Sequence, residues 1–126
     1  MKQFRLFTAF LMALLCAILV TSCSKDDKEP TSLIIGKWQV IGDDGVPEDD
    51  GIEFRSNGTW IDYDPSNKSY GNWGRYWIES EILYMRWGDD GKIWKQAIEK
   101  LNSKEMILME LDGDWKGSKT LWVRIR

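Results

Sequence analysis

The sequence predicts an all-β domain, a single antiparallel meander of about eight strands closed into a small barrel. Three observations lead there. From Ile34 onward, apolar residues alternate with polar ones in short runs, the period of a half-buried strand. Clusters of Gly, Asn, Asp and Ser separate these runs at hairpin spacing. No segment after Ile34 carries the 3.6-residue periodicity of a long amphipathic helix. Successive hairpins in so short a chain favour a meander, and closing it removes exposed strand edges. A β-sandwich is the alternative arrangement.

The N-terminal element is of another kind. Lys2 and Arg5 form a cationic head, and residues 6–20 are apolar except for Thr8. Fifteen residues suit the apolar region of a secretory signal but fall short of the ~20 that span a bilayer. Val20-Thr21-Ser22-Cys23 resembles a lipobox, in which small residues precede a cysteine that takes up diacylglycerol before cleavage. An ordinary signal with a chance cysteine is the alternative. The expectation is that residues 1–22 are a lipoprotein signal peptide and Cys23 is the lipidation site. Cys16 would leave with the signal, so no disulfide forms within the domain. Two or three acyl chains, at about 0.8 kcal/mol per buried CH₂, would anchor the protein stably.

Residues 23–33 then form a lipidated, acidic and flexible tether. Cys23-Ser24-Lys25-Asp26-Asp27 resembles the acidic export signal of Bacteroidetes surface lipoproteins. That resemblance implies an outer-membrane lipoprotein exposed at the cell surface; a plain tether leaves the periplasmic face open.

The domain proper is expected over residues 34–126, with strands at 35–42, 51–56, 59–64, 71–79, 82–88, 92–101, 104–111 and 119–126. Asn57-Gly58 between alternating segments predicts a two-residue type I′ hairpin. Ser56 then faces Thr59, Phe54 pairs with Ile61 and Ile52 with Tyr63, all four apolar residues pointing inward, while Trp60 pairs with Arg55 outside. The same alternation turns inward Trp38, Val40, Tyr76, Ile78, Leu83, Met85 and Trp87, with Trp94, Gln96, Ile98, Met106 and Leu108. On the last strand Leu121-Val123-Ile125 competes with Trp122-Arg124 for the interior.

Composition removes several functions. Cleavage before Cys23 of the 126-residue chain leaves 104 residues, one domain with a modest core. Without Lys2 and Arg5 the mature chain has 15 basic against 20 acidic residues, which argues against nucleic acid or an anionic membrane surface as partner. Membrane contact is expected only through the lipid. Histidine is absent, and no free cysteine remains, so the common general base, thiol catalysis and thiolate metal sites are unavailable. No phosphate loop or nucleophile elbow occurs. The acids cluster beside Gly at Asp43-Asp44, Glu48-Asp49-Asp50, Asp89-Asp90 and Asp112 with Asp114, where turns explain them. The protein is therefore expected not to be an enzyme, and to need no metal or cofactor; a carboxylate-dependent hydrolase is the weakest alternative.

Ile35-Gly36-Lys37-Trp38, then Ile52-x-Phe54, Asn57-Gly58-Thr59, Gly74-x-Tyr76-x-Ile78, Leu83-x-Met85 and a final strand bearing Arg124 together resemble the lipocalin-like domains of Bacteroidetes lipoproteins. The resemblance covers residues 34–126. It implies that Trp38 closes one barrel end beneath Arg124, a cation–π pair of about 0.5–2 kcal/mol; Arg126 is the other candidate. It also implies a pocket for a small hydrophobic or amphipathic molecule. Trp87, Trp94, Gln96, Tyr76 and Tyr63 are its candidate ligand-binding residues, Gln96 being the polar handle among aromatics. Eight Trp exceed what one small interior takes. Trp73, Trp77 and Trp115 accordingly support an alternative, a surface module that recognises a glycan or protein partner.

Overall fold

A computed structural model describes residues 29–126; the predicted signal peptide, the lipidation site Cys23 and most of the tether lie outside the described residues. A four-residue helix, α1 (Pro30–Leu33), leads into eight strands: β1 (Gly36–Ile41), β2 (Pro47–Phe54), β3 (Thr59–Asp64), β4 (Ser69–Glu79), β5 (Ile82–Trp87), β6 (Ile93–Leu101), β7 (Glu105–Glu110) and β8 (Lys119–Ile125). Each pairs antiparallel with the next, and β8 returns to β1 through Trp38↔Arg124 and Val40↔Trp122. The meander is thus a closed barrel, and the sandwich is excluded. β2 begins four residues earlier than expected, so Glu48, Asp49 and Asp50 belong to a strand and not to a turn.

Alternate hairpins lie at opposite ends of such a barrel. The 55–58, 80–81 and 102–104 turns share one end with α1, and that end is filled. Trp38 and Ile34 are fully buried, and the Trp38 indole N–H donates to the Ile34 carbonyl at 2.8 Å. The Arg124 guanidinium lies 4.4 Å from the Trp38 ring centroid and donates to the carbonyls of Ile35 (2.7 Å), Ser103 (2.7 Å) and Leu33. Gly36 has no Cβ because one would collide with that guanidinium. The residues expected to end the tether therefore dock, through Leu33, on the barrel floor. Phe54, Tyr76, Leu83 and Met106 pack the layer above. The competition on the last strand resolves toward Trp122 and Arg124, both inside.

The β2–β3 register departs from expectation. The connection is a three-residue loop: Gly58 N–H donates to Arg55 O at 3.1 Å, Arg55 N–H donates to Thr59 O at 2.8 Å, and Gly58 takes φ +85°. This is a type I turn followed by a left-handed glycine, not the two-residue type I′ turn. The Asn57 side chain holds it by accepting from both the backbone N–H and the hydroxyl of Thr59. One extra loop residue flips the faces of β3. Phe54 pairs with Trp60, Glu53 with Ile61, Ile52 with Asp62 and Gly51 with Tyr63. Trp60 and Asp62 consequently point inward, while Ile61 and Tyr63 point outward. The Trp60 indole needs room, and Gly74, its cross-strand partner on β4, supplies it. A Cβ on Gly74 would sit 2.6 Å from Trp60 Nε1 and strike the Arg86 carbonyl, which accepts from that same indole nitrogen at 3.1 Å.

Arg124→Met should cost about 2–4 kcal/mol in chemical denaturation, because it strips charged donors from three carbonyls and uncovers Trp38. Arg126→Met, at the exposed terminus, should stay within about 0.5 kcal/mol of the parent. Equal losses in the two variants would contradict the assignment of Arg124 as the seal.

Candidate ligand-binding site

The end opposite the seal is open, and there the interior is not filled. A cavity of about 220 Å³ enters the barrel between the 42–46, 65–68, 88–92 and 111–118 connections. Its floor is Phe54, Trp60 and Met85, and Leu108 and Ile52 line it further. Trp87 and Trp94 form one wall from β5 and β6. They lie 5.3 Å apart between ring centroids, and Trp60 meets both edge-on at 5.1 and 5.7 Å. Trp87 is 43 % exposed and forms part of the rim.

Alternation along β6 places Gln96 beside Trp94 on the same inner face. Gln96 is only 8 % exposed. Its amide nitrogen donates to Glu110 Oε1 across the β6–β7 pair at 2.5 Å, and its amide oxygen, also buried, has no partner. The Trp122 indole nitrogen is likewise buried and unpaired. Two carboxylates join the lining, Asp50 from β2 and Asp62 from β3. Desolvation pushes the Asp62 carboxyl above its usual range and the neighbouring Asp50 charge adds to this, with Asn72 hydrogen bonds opposing. Glu110 is raised as well, first by desolvation and then by Asp112, against the Gln96 bond. No group of three or more Asp, Glu, His or Cys residues among the described residues is arranged to hold a metal ion.

Of the five candidate binding residues, Trp87, Trp94 and Gln96 meet at this cavity. Tyr63 does not. The shifted register turns it to the outer face, where it is covered by the Lys37 ammonium (4.5 Å from its ring centroid) and by Tyr70. Tyr76 faces inward but below the cavity, edge-on to Phe54 at 4.9 Å, with its hydroxyl donating to the Arg55 carbonyl at 2.8 Å. Among the surface candidates, Trp115 is 75 % and Trp73 45 % exposed. Trp77 lies flat against Tyr84 on the outer wall, their planes 1° apart, under the Arg86 guanidinium. Sequence reasoning missed four lining residues: Trp60, Asp62, Asp50 and Trp122. The first two follow from parity once the 56–58 loop is counted as three residues, and Asp50 follows from Ile52 by a step of two.

A carboxyl raised in the folded state makes the native protein bind protons more tightly than the unfolded chain. Its charged form then costs stability above the folded pKa, and that cost is relieved as pH falls through the carboxylate range. Asp62→Asn should therefore melt higher than the parent at pH 7, with the gap closing as pH falls through the carboxylate range. A thermal-melt series over pH checks this, and a pH-independent offset would contradict it.

No family model and no curated protein matches the chain. Solved structures do. The NMR structure of a protein from Bacteroides uniformis superposes with a TM-score of 0.58 at 22% identity, covering 82% of this chain and 98% of that one. The crystal structure of an uncharacterized protein from Bacteroides eggerthii gives 0.53 at 19% identity, over 73% of this chain and 99% of that one. A lipocalin-like protein from Bacteroides uniformis gives 0.51 at 15% identity, over 73% and 98%. At these identities the likeness is one of fold, and the fold is a lipocalin-like β-barrel.

Proposed function

We propose that this chain is a non-catalytic outer-membrane lipoprotein, exposed at the cell surface, whose barrel holds a small apolar or amphipathic molecule. The observation that carries the binding part is the cavity: about 220 Å³, floored by Phe54, Trp60 and Met85, open above, and walled by Trp87 and Trp94. Aromatic walls with a few polar groups are the usual build of small-molecule pockets. Hydrolysis is the weaker use of the same space. Asp50 and Asp62 come from adjacent strands and stand side by side on one wall, whereas glycosidic cleavage needs carboxyls flanking the bond.

The binding test is a panel of small neutral aromatic and aliphatic alcohols, read by Trp fluorescence and thermal shift. One-to-one saturable quenching is expected, with about 2.7 kcal/mol of added stability at a hundredfold excess over Kd. Leu108→Phe, which fills the cavity, should abolish both signals. Absence of both in the parent would end this reading. Exposed Trp73 and Trp115 favour a second one, a glycan- or protein-recognition surface. In that case Trp115→Ala and Trp73→Ala, not Leu108→Phe, remove binding while the melting temperature holds.

The anchor and address rest on Val20-Thr21-Ser22-Cys23 and the acidic segment after it. Cys23→Ser should prevent fatty-acid incorporation in labelled cells. Replacing Lys25, Asp26 and Asp27 by Ala should retain the lipid but protect the protein from protease added to intact cells. Protease sensitivity unchanged by that replacement would count against the export signal.

A further inference from the structure

The barrel cavity is lined by two acidic side chains, Asp50 and Asp62, and by no Lys or Arg. The four salt bridges found among the described residues, Arg55–Glu53, Arg75–Asp89, Lys100–Glu105 and Lys119–Glu99, involve none of the acids at the cavity. Asp62, half-buried, and Asp50, exposed at the mouth, thus lie near one another without a salt-bridge partner. An apolar ligand ending in a carboxylate would meet repulsion here, and a neutral one would leave the acids as they are.

Gln96 adds an independent sign. It is more than nine-tenths buried, and its bond to Glu110 occupies the amide nitrogen, so the amide oxygen is the buried atom left without a donor. A buried acceptor without a partner costs free energy until a donor arrives. Trp60, Trp87 and Trp94 line the same cavity, and indole π-faces attract cations within about 6 Å of the ring centroid. Acceptors, negative charge and indoles line one cavity. Among the cavity-lining residues, Trp122 Nε1 is a buried donor without a partner.

Building on the pocket reading above, we propose that the ligand is an organic amine: a primary ammonium carried on a small apolar or aromatic body. The ammonium lies toward the Asp62 and Asp50 carboxylates, and the body lies against the tryptophan wall. A primary ammonium offers three N–H donors and no acceptor, which suits a lining whose charged groups only accept. Charge-assisted hydrogen bonds favour it over an alcohol of the same shape.

The test compares phenethylamine, phenethyl alcohol and phenylpropanoate on the full-length protein, by Trp fluorescence titration at pH 7 and low salt. The amine should bind at least about tenfold more tightly than the alcohol, and the phenylpropanoate most weakly. Asp62→Asn should shrink the amine-to-alcohol preference by about tenfold. Asp50→Asn, at an exposed position where folding is not at risk, should shrink it in the same direction. Alcohol binding that equals or exceeds amine binding overturns the amine assignment while leaving the pocket reading intact. So does an unchanged preference in both variants. If none of the three probes saturates, and the neutral panel also fails, the pocket reading itself falls and the amine assignment with it.

Discussion

One end of the barrel is sealed because Arg124 satisfies three backbone carbonyls while covering Trp38, and the remaining features of the molecule are arranged relative to that seal. The carbonyls belong to Leu33, Ile35 and Ser103, on α1, the start of β1 and the β6–β7 turn. This one guanidinium joins three segments, beside the Trp38–Ile34 bond and the bond from the Arg124 N–H to the Lys104 carbonyl. Guanidinium suits the task. It supplies several donors in a fixed plane and stays charged even where desolvation lowers its pKa, as it does here. Strand pairing between β1 and β8 closes the wall of the cylinder, and Arg124 closes its base. What is left is a cup.

The depth of the cup is set higher up, by Trp60 and Gly74. The fully buried Trp60 indole fits only because its cross-strand partner on β4, Gly74, has no side chain. Its N–H is a buried donor that needs a partner, and the Arg86 carbonyl provides one. Below this level Leu83, Met106 and Ile34 pack without room to spare. Above it Trp87 and Trp94 lean against Trp60 and leave space on their other side. The same residue is therefore the top of the core and the floor of the site, which ties the volume of the cavity to core packing.

Alternation made the barrel legible in the sequence, together with most of its inward residues, because short alternating runs punctuated by turn residues mark each strand and hairpin. It failed on β3 for a specific reason. Trp60-Ile61-Asp62-Tyr63 offers apolar residues on both faces, so the pattern does not choose between registers. The choice falls to the turn, and Asn-Gly fits both a two-residue and a three-residue loop. The deciding contact, Asn57 accepting from Thr59, is a side-chain detail below the resolution of pattern. On β8 the pattern pointed both ways again, and the less apolar face went in because Trp122 and Arg124 had interior neighbours. Of the site, Trp87, Trp94 and Gln96 were legible by parity, whereas Tyr63 followed the wrong register and Tyr76 the right one but at the wrong depth. Asp62 was invisible because a reading by hydrophobic period treats inward polar residues as errors, although a cavity is where they belong.

Interior acids are costly in a cup this small, and the distribution of basic residues shows how the fold tolerates them. Lys37 and Arg55 lie over outer-wall tyrosines and beside Glu53, and the other salt bridges also run along the outside. Arg75–Asp89 reaches the 88–92 connection at the open end, but none of these pairs includes Asp50 or Asp62. Asp50 and Asp62 keep access to solvent instead, which limits the cost of their charge without removing it. Closing the mouth over them would bury unpaired carboxylates, and filling it with a lysine would abolish the cavity. An open cup lined by acids is thus a compromise stable only while water, or a ligand that replaces it, reaches the carboxylates. The openness that makes the interior acids bearable is also the route by which a ligand reaches the tryptophan wall.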